Sequence, residues 1–179
     1  MTVKEERTER AVKAGYKAFE NSFNWAQSSL AGLLAEFAPD LDISDIERDA
    51  MLKANSKTWG LGGVGGTCGT VQGPIHFLGY LYGEDLTVNE FNATEIMKVL
   101  NRVNVIPEFT LKMRKHWGST ECGNIHGQML GRFYDLNSLS DIGAFINDGA
   151  RDKCQVPVEY AIRLTCDLIL DDDGTIKNK

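Results

Sequence analysis

Apolar residues recur at intervals of three and four along most of the chain, which is the spacing of one face of an α-helix. From about residue 8 to residue 37 these positions are Val12, Tyr16, Phe19, Phe23, Trp25, Leu30, Leu33, Leu34 and Phe37. The polar residues Asn21, Ser22 and Asn24 interrupt the pattern and predict a break. Asn24 is a favourable N-cap for the second segment, which is predicted to end before Pro39 because a residue that precedes proline is displaced from helical geometry.

The rest of the chain is also helical in pattern. Ser44 and Glu47 have the spacing of a capping box and predict a helix that runs to about Trp59. Further helices are predicted from Thr87 or Asn89 to His116, with an interruption at Pro107, and over residues 119–130 and 156–170. No stretch alternates between apolar and polar residues for long. We therefore predict an all-α fold, a bundle of about six helices in a single domain that covers residues 1–179.

Glycine is concentrated in one segment, since nine of the 18 glycines lie between residues 60 and 83. Residues 60–66 are predicted to form a loop, and residues 68–82 an apolar helix that contains Gly69, Gly73 and Gly79. Glycine inside a helix costs about 1 kcal/mol relative to alanine. We expect these positions to admit the close approach of another backbone or of a cofactor.

The same segment formally matches the glycine fingerprint of dinucleotide-binding proteins at residues 60–65. That fingerprint requires a hydrophobic strand before it, whereas residues 49–59 are polar and helix-like. No Gly-Lys-Ser or Gly-Lys-Thr follows, so the segment is not a P-loop either. The context argues against nucleotide binding.

Composition and charge narrow the classes of protein and partner. The chain has 179 residues, of which 42% are hydrophobic and 25% charged, values typical of a soluble globular protein. Its net charge is -6, and no dense basic cluster points to nucleic acid or to an anionic membrane. The first ten residues carry charges of both signs, and no stretch has the length of apolar residues needed to span a membrane. We expect a cytoplasmic protein.

Three of the four cysteines are predicted to lie at helix starts. Cys68 follows Thr67, which is expected to cap its helix, and Cys122 lies three residues after Ser119, the expected cap of the next helix. Cys154 lies three residues before Pro157, a residue most easily housed in a first helical turn. The positive end of a helix favours thiolate over thiol, the form that ligates a metal or attacks an electrophile. Cys166 lies well inside a predicted helix and is expected to be a small core residue. Buried structural thiols are the alternative for the other three.

Two histidines could join these cysteines. Cys122 and His126 are four residues apart, so they face the same way on a helix and suit a pair of metal ligands or a thiolate and imidazolium pair. His76 lies eight residues after Cys68, two turns along a similar face. For each histidine a hydrogen-bonded structural role is the alternative.

Several landmarks in order resemble one family. They are residues 24–27, residues 65–69, Gly73, residues 78–83, residues 118–122 and Cys154. With these landmarks the chain resembles the C_GCAxxG_C_C family of redox-active proteins, small helical proteins of anaerobic bacteria and archaea that are related to the cluster-bearing part of split-Soret cytochromes. The resemblance covers roughly residues 14–170.

The resemblance implies an iron-sulfur cluster, another metal ion or a set of reactive thiols, formed by Cys68, Cys122 and Cys154. Trp25 stands where the family has its first motif cysteine, so four family thiolates cannot assemble. The fourth position is then left to His126, His76, Cys166, water or substrate. No Cys-x-x-Cys-His is present, so haem is not expected.

Three interpretations follow from the resemblance. The first is a redox-active oxidoreductase that holds a metal centre through the three cysteines, for electron transfer or reductive chemistry. The second is a metal-free enzyme or binding protein with a pocket in which Cys68, His126 and His76 are the catalytic candidates. The third is a structural helper protein. Residues expected to contact a cofactor are Gly66, Gly69, Gly73 and Trp25. Expected partners are a small-molecule substrate or a redox partner protein, with a homodimer left open and with neither nucleic acid nor membrane.

Overall fold

A computed structural model of the chain describes residues 1–20, 24–56, 58–83, 90–102 and 104–177. Its helices are α1 (Val3–Glu20), α2 (Trp25–Phe37), a 3-10 turn (Pro39–Leu41), α3 (Asp45–Ser56), α4 (Trp59–Gly63), α5 (Gly69–Tyr82), α6 (Ala93–Arg102), α7 (Val105–Trp117), α8 (Cys122–Leu130), α9 (Leu139–Asn147), α10 (Ala150–Lys153) and α11 (Gln155–Ile169). These ranges hold only two isolated β-bridges and no strand, so the all-α prediction is confirmed. No helix in them is both long and apolar enough to cross a bilayer.

Two predicted helix starts are confirmed by their hydrogen bonds. The Asn24 side chain accepts from the backbone N–H groups of Ala26 and Gln27 at the start of α2. At α3 the Glu47 carboxylate accepts from the Ser44 backbone at 2.8 Å, and the Ser44 hydroxyl accepts from the Glu47 backbone at 3.3 Å. Both motifs satisfy N–H groups that have no partner within the helix. The predicted break at Asn21 and Ser22 and the predicted start at Thr87 or Asn89 lie outside the described residues.

The prediction of a loop over residues 60–66 was wrong at its first half, because residues 59–63 form the short helix α4. A Schellman motif ends this helix: Gly66 N–H donates to the Leu61 carbonyl at 2.7 Å, and Gly65 N–H donates to Gly62 at 2.9 Å. Gly65 has a φ of 84°, which only glycine adopts readily. Gly65 and Gly66 thus form the end of α4, whereas the high glycine content predicted only a loop.

Other boundaries differ from the prediction for local reasons. The helix expected to run to Trp59 ends at Ser56. The interruption expected at Pro107 falls before Val105, and Pro107 sits in the first turn of α7, where its missing N–H costs nothing. The pattern also missed α9, although Ser138 caps it by accepting from the Asp141 backbone.

Helix α2 is the centre of the bundle and packs against α1, α3, α5 and α11. Glycines on the neighbouring helices allow this close packing. A β-carbon on Gly73 would lie 2.3 Å from the Ala26 carbonyl oxygen, and one on Gly69 would lie 2.8 Å from the Ala26 nitrogen. By contrast, a β-carbon on Gly79 would meet nothing within 4 Å. The expected close approach of a backbone therefore occurs at Gly69 and Gly73 and not at Gly79.

Substitution of Gly73 by alanine should destabilise the protein, since the methyl group would overlap the α2 backbone and force a shift that costs about 1–3 kcal/mol. Gly79→Ala, three positions from the helix end in the same helix, is the control and should stabilise by about 0.5–1 kcal/mol through helix propensity. Urea denaturation of both variants measures the difference. Equal stabilities would contradict the close-packing role of Gly73.

A buried thiol cluster as candidate functional site

Four helix N-termini converge on one small cavity. Trp25 is the first residue of α2, Cys68 caps α5, Cys122 is the first residue of α8 and Cys154 caps α11. All four side chains line the cavity. The three cysteines singled out by the sequence therefore meet in space, with Trp25 beside them.

A short antiparallel bridge between Thr67 and Glu121 holds two of these helix starts together. The Cys68 N–H donates to the Thr120 carbonyl at 2.9 Å, and the Cys122 N–H donates to the Gly66 carbonyl at 2.8 Å. The bridge fixes the backbones on both sides of the two thiols. It also means that Gly66 contributes a backbone acceptor to the site.

Two predicted N-caps near this bridge were wrong. Thr67 was expected to cap α5 and Ser119 to cap α8, but the N-cap residues are Cys68 and Glu121. Thr67 is instead held in the bridge by its extended backbone. The Ser119 hydroxyl still accepts from the Glu121 N–H at 3.0 Å, one residue before the helix begins.

Cys68 and Cys122 form a hydrogen-bonded thiol pair. The hydrogen bond from Cys122 lowers the pKa of Cys68 despite burial, and the Thr70 hydroxyl adds a second hydrogen bond at 3.1 Å. The same contact raises the pKa of Cys122, and burial raises it further. In this pair the negative charge is therefore favoured on Cys68, and Cys122 stays protonated.

Cys154 completes the cluster as a protonated thiol. Burial raises its pKa, the neighbouring Cys68 raises it again, and a hydrogen bond from the Trp25 side chain opposes both. Trp25 is itself buried, and its ring lies 6.0 Å from the ring of Phe145. The Trp25 indole therefore lies in the place where a fourth thiol would complete the cluster, and it contacts the Cys154 thiol.

The cavity is small, and its three thiols are buried. The centre of a water molecule can move within only about 10 Å³ of it, so the cavity has room for roughly one water. Cys68, Cys122 and Cys154 are 5%, 8% and 6% exposed. Helix α4 covers one side, since a β-carbon built on Gly62 would lie 3.4 Å from the Cys122 sulfur.

His126 is the only imidazole that the described residues bring to this cavity. It lies four residues after Cys122 on α8, as the spacing predicted, and is 1% exposed. Neither ring nitrogen has a hydrogen-bond partner. Burial lowers its pKa, which favours the neutral ring, with one N–H donor and one acceptor. The ring packs against the rings of Phe133, Tyr134 and Phe145.

The structure places His76 away from the cluster, contrary to the prediction. Its ring is exposed, and Nδ1 lies 2.6 Å from Oδ1 of Asn55 on α3. Eight residues advance a helix by two turns and about 80° more, enough to turn His76 from the face of Cys68. Gly69 and Gly73, expected to contact a cofactor, have the α2 backbone as their close neighbour instead.

Cys166 is a core residue, as its place in the sequence suggested. It is 0% exposed within α11, does not line the cavity, and burial raises its pKa to about 12. Reasoning from the sequence missed the remaining lining residues, which are Thr70, Ile125, Met129, Phe145 and Pro157. Thr70 follows Cys68 by two residues, a spacing that carries no general signal, and Phe145 lies on the helix that the pattern missed.

Comparison with known proteins bears on this geometry. The family model described as "Putative redox-active protein (C_GCAxxG_C_C)" matches residues 23–168, most of the chain. The chain belongs to the C_GCAxxG_C_C family. Cys68, Cys122 and Cys154, whose thiols share the cavity, all lie inside the matched range. No curated protein and no solved structure matches the chain.

The iron-sulfur cluster expected from the family resemblance does not fit this C_GCAxxG_C_C site as it stands. An iron-sulfur cluster needs room for several iron and sulfide atoms, whereas the cavity has room for about one water. A cluster also needs four ligands, and Trp25 lies in the place of the fourth thiol. Among the residues described here, no three His, Cys, Asp or Glu side chains are arranged so that they could hold a metal ion. The donor types present, three thiols and an imidazole, do suit a single thiophilic ion.

Cys68 should be the most reactive thiol of this family member. With iodoacetamide at mildly acidic pH, peptide mapping should find Cys68 alkylated well before Cys166, which is fully buried with a raised pKa. Thr70→Val removes the hydroxyl that donates to Cys68 and should move the midpoint of the alkylation profile up by about one pH unit. Thr70→Ser keeps the donor and should match the parent. Labelling of Cys166 as fast as Cys68, or a parental profile in Thr70→Val, would contradict this assignment.

Proposed function

We propose that the protein is a thiol redox protein whose centre is the Cys68 and Cys122 pair. The observation that supports this most directly is that both thiols line one small cavity, where the bridge between Thr67 and Glu121 holds the two backbones side by side. The family description as redox-active points the same way. The pair lies at two helix N-termini, which favour a thiolate.

The redox step is the reversible conversion of a dithiol to a disulfide. On oxidation by a disulfide acceptor, the Cys68 thiolate attacks one acceptor sulfur, and the acceptor's S–S bond breaks to release its first thiolate. The Cys122 sulfur then attacks Cys68 in this mixed disulfide, the Cys68–Cys122 bond forms, and the acceptor's second sulfur leaves as a thiol with the proton of Cys122. On reduction a donor dithiol or hydride returns the two electrons, the S–S bond breaks, and the sulfurs regain their protons. Thr70 stabilises the thiolate from which oxidation begins.

Cys154 has a different part in this proposal. Its thiol is kept protonated by burial and by the nearby charge on Cys68, so it is a poor nucleophile. It therefore lies beside the pair without competing for it. Partners of the pair are a small molecule or a redox protein, and we place the protein in the cytoplasm, where thiols are kept reduced.

A second candidate is a centre with one metal ion. The two nitrogens of His126 without hydrogen-bond partners, in a cavity shared with three thiols, favour it. Cys68, Cys122, Cys154 and His126 would be the ligands, and iron in such a set would supply one-electron transfer. The side chains would first have to turn toward the ion.

Equilibration of the protein in dithiothreitol redox buffers tests the dithiol proposal. We expect a reversible Cys68 to Cys122 disulfide, seen by mass spectrometry as the loss of two hydrogen atoms and by mapping of the linked peptides. Cys122→Ser should abolish it, and Cys166→Ser should not, because Cys166 lies outside the cavity. Absence of the disulfide under every buffer, or pairing that persists in Cys122→Ser, would overturn the proposal.

Metal and sulfide analysis of anaerobically purified protein separates the two candidates. The dithiol proposal expects neither metal nor acid-labile sulfide in stoichiometric amount, and a colourless protein. About one iron per chain without sulfide, with colour, would support the single-ion centre instead. Iron together with sulfide would contradict the conclusion that an iron-sulfur cluster does not fit this cavity.

Trp25→Cys should turn the site toward a cluster. The change supplies a fourth thiol but empties a large volume, at a cost of about 3–5 kcal/mol by analogy with Trp→Ala truncations. Thermal melting should show a weaker apoprotein that regains stability with iron and sulfide, because a group bound only by the folded state stabilises it. Trp117→Cys, a similarly buried tryptophan outside the cavity, should lose stability without that rescue. If the Trp25→Cys variant takes up iron and melts like the parent, Trp25 does not stand in the position of a fourth cluster ligand.

A further inference from the structure

The thiol pair is buried in the folded chain, although its proposed function requires contact with a partner. Cys68 and Cys122 are 5% and 8% exposed. Thiol-disulfide exchange passes through a mixed disulfide, in which a sulfur of the partner is bonded to the attacking cysteine. A partner's sulfur therefore has to come within bonding distance of Cys68. Some part of the chain that covers the pair must move first.

Helix α4 lies directly over Cys122. A β-carbon on Gly62 would be 3.4 Å from both the β-carbon and the sulfur of Cys122. Since Gly62 has no side chain, the backbone of α4 itself covers the sulfur. The bridge between Thr67 and Glu121 lies beyond the end of α4, so this helix can move away while the bridge still holds the two cysteines in place.

The composition of α4 makes this helix easy to unfold. It has five residues, Trp59–Gly63, and three of them are glycine. Glycine is the least favourable residue in a helix after proline, and a helix of this length is marginal without support from the rest of the fold. Leu61 and Val64 are 54% and 67% exposed, so they add little burial energy to the closed arrangement. Segments of this kind open locally while the core stays folded.

Hydrogen bonds from other elements hold α4 in place. The side-chain amide of Gln72, on α5, donates to the Thr67 carbonyl at 2.5 Å and to the Thr58 carbonyl at 3.4 Å. Thr58 directly precedes α4 and Thr67 follows its final turn, so one side chain, only 7% exposed, ties the two ends of the segment together. Asn137 donates to the Gly63 carbonyl at 3.3 Å. These few bonds can break without unfolding the bundle.

We propose that residues 59–65 are a lid over the thiol pair, which opens by local unfolding between Thr58 and Gly66 and is held shut by Gln72. The inference rests on the proposed function, since it names how a partner's sulfur reaches the pair. The Gly66 carbonyl stays bonded to the Cys122 N–H and anchors one end of the lid. Gln72 is a positioning residue, because it acts through the lid and on neither sulfur.

Alkylation of the reduced full-length protein with dilute iodoacetamide measures the opening. When the lid closes faster than the reagent reacts, the labelling rate follows the population of the open form. Peptide mapping compares the first label on Cys68 or Cys122 with the label on Cys166, which is 0% exposed in α11 and reports global unfolding. In low concentrations of urea the rate of the pair should change little, because the lid exposes little surface on opening, while the rate of Cys166 should rise steeply.

Two alanine variants separate the lid from the rest of the chain. Gly65 and Gly131 have φ values of 84° and 83°, and a β-carbon on either would meet no listed neighbour closer than 3.5 Å. Both substitutions therefore strain the folded backbone alike, but only the strain at Gly65 is relieved when the lid opens. Gly65→Ala should raise the labelling rate of the pair about tenfold, and Gly131→Ala should leave it unchanged. Both should raise the rate of Cys166.

Gln72→Met tests the side chain that holds the lid. It keeps the length of the side chain, removes the donor, and should raise the labelling rate of the pair about fivefold, the effect of one lost hydrogen bond. Gln27→Met removes a similar bond, to the Leu52 carbonyl at 2.9 Å on α3, and should leave that rate unchanged. Oxidised glutathione should oxidise the pair faster in Gly65→Ala and Gln72→Met by the same factors as iodoacetamide labels it, because one opening admits both reagents.

Three results would overturn the inference: a pair that responds to urea like Cys166, equal effects of Gly65→Ala and Gly131→Ala on the pair, or a Gln72→Met variant that labels like the parent. If the disulfide still forms in dithiothreitol buffers, those results leave the proposed thiol function intact. If the labelling is as expected but no disulfide forms in any buffer, the proposed function fails while the lid remains, which separates the two failures.

Discussion

The contact between the backbones of α2 and α5 determines where the site is built. Gly69 and Gly73 let α5 approach so closely that a β-carbon at either position would overlap Ala26 of α2. This contact lies at the first two turns of both helices, so it sets the N-terminus of α5 beside that of α2. Cys68 and Trp25 are neighbours for that reason, and the bridge from Thr67 to Glu121 then adds α8 and Cys122.

Burial and hydrogen bonding compete over the charge of each thiol in this cluster. Burial disfavours a thiolate, and it prevails at Cys154 and Cys166, while at Cys122 the hydrogen bond to Cys68 acts in the same direction. At Cys68 the hydrogen bonds from the Cys122 thiol and from the hydroxyl and the backbone N–H of Thr70 together outweigh burial and lower the pKa. Hydrogen bonds to a charged group are worth about 1.5–3 kcal/mol each, which is comparable with the penalty for burying a single polar group. The cluster therefore has one site for negative charge, and its neighbours stay protonated.

The parts of this protein that were predictable from its sequence are those set by contacts within a few residues. Asn24, Ser44 and Glu47 marked helix starts because a cap acts on N–H groups two or three residues away. The approach of His126 to the Cys122 face followed from helix periodicity. Thr67 was misassigned as a cap because its partner, Glu121, is distant in sequence and pairs with it only in the folded chain. His76 was misplaced for a related reason, since its orientation is fixed by Asn55 on another helix. The convergence of the three cysteines came from family resemblance, because their wide separation in sequence carries no local signal.

The separation of Cys68 and Cys122 along the chain links the oxidation state of the pair to the free energy of unfolding. A covalent S–S bond there would close a loop of about fifty residues and take roughly 4 kcal/mol of chain entropy from the unfolded ensemble, on a polymer model. That loop includes the described parts of α5, α6 and α7, which makes the oxidised molecule harder to unfold than the reduced one. By thermodynamic linkage, the folded architecture also makes the same bond harder to reduce than it would be in an unstructured chain. Resistance to unfolding and reduction potential are then two readings of one free energy.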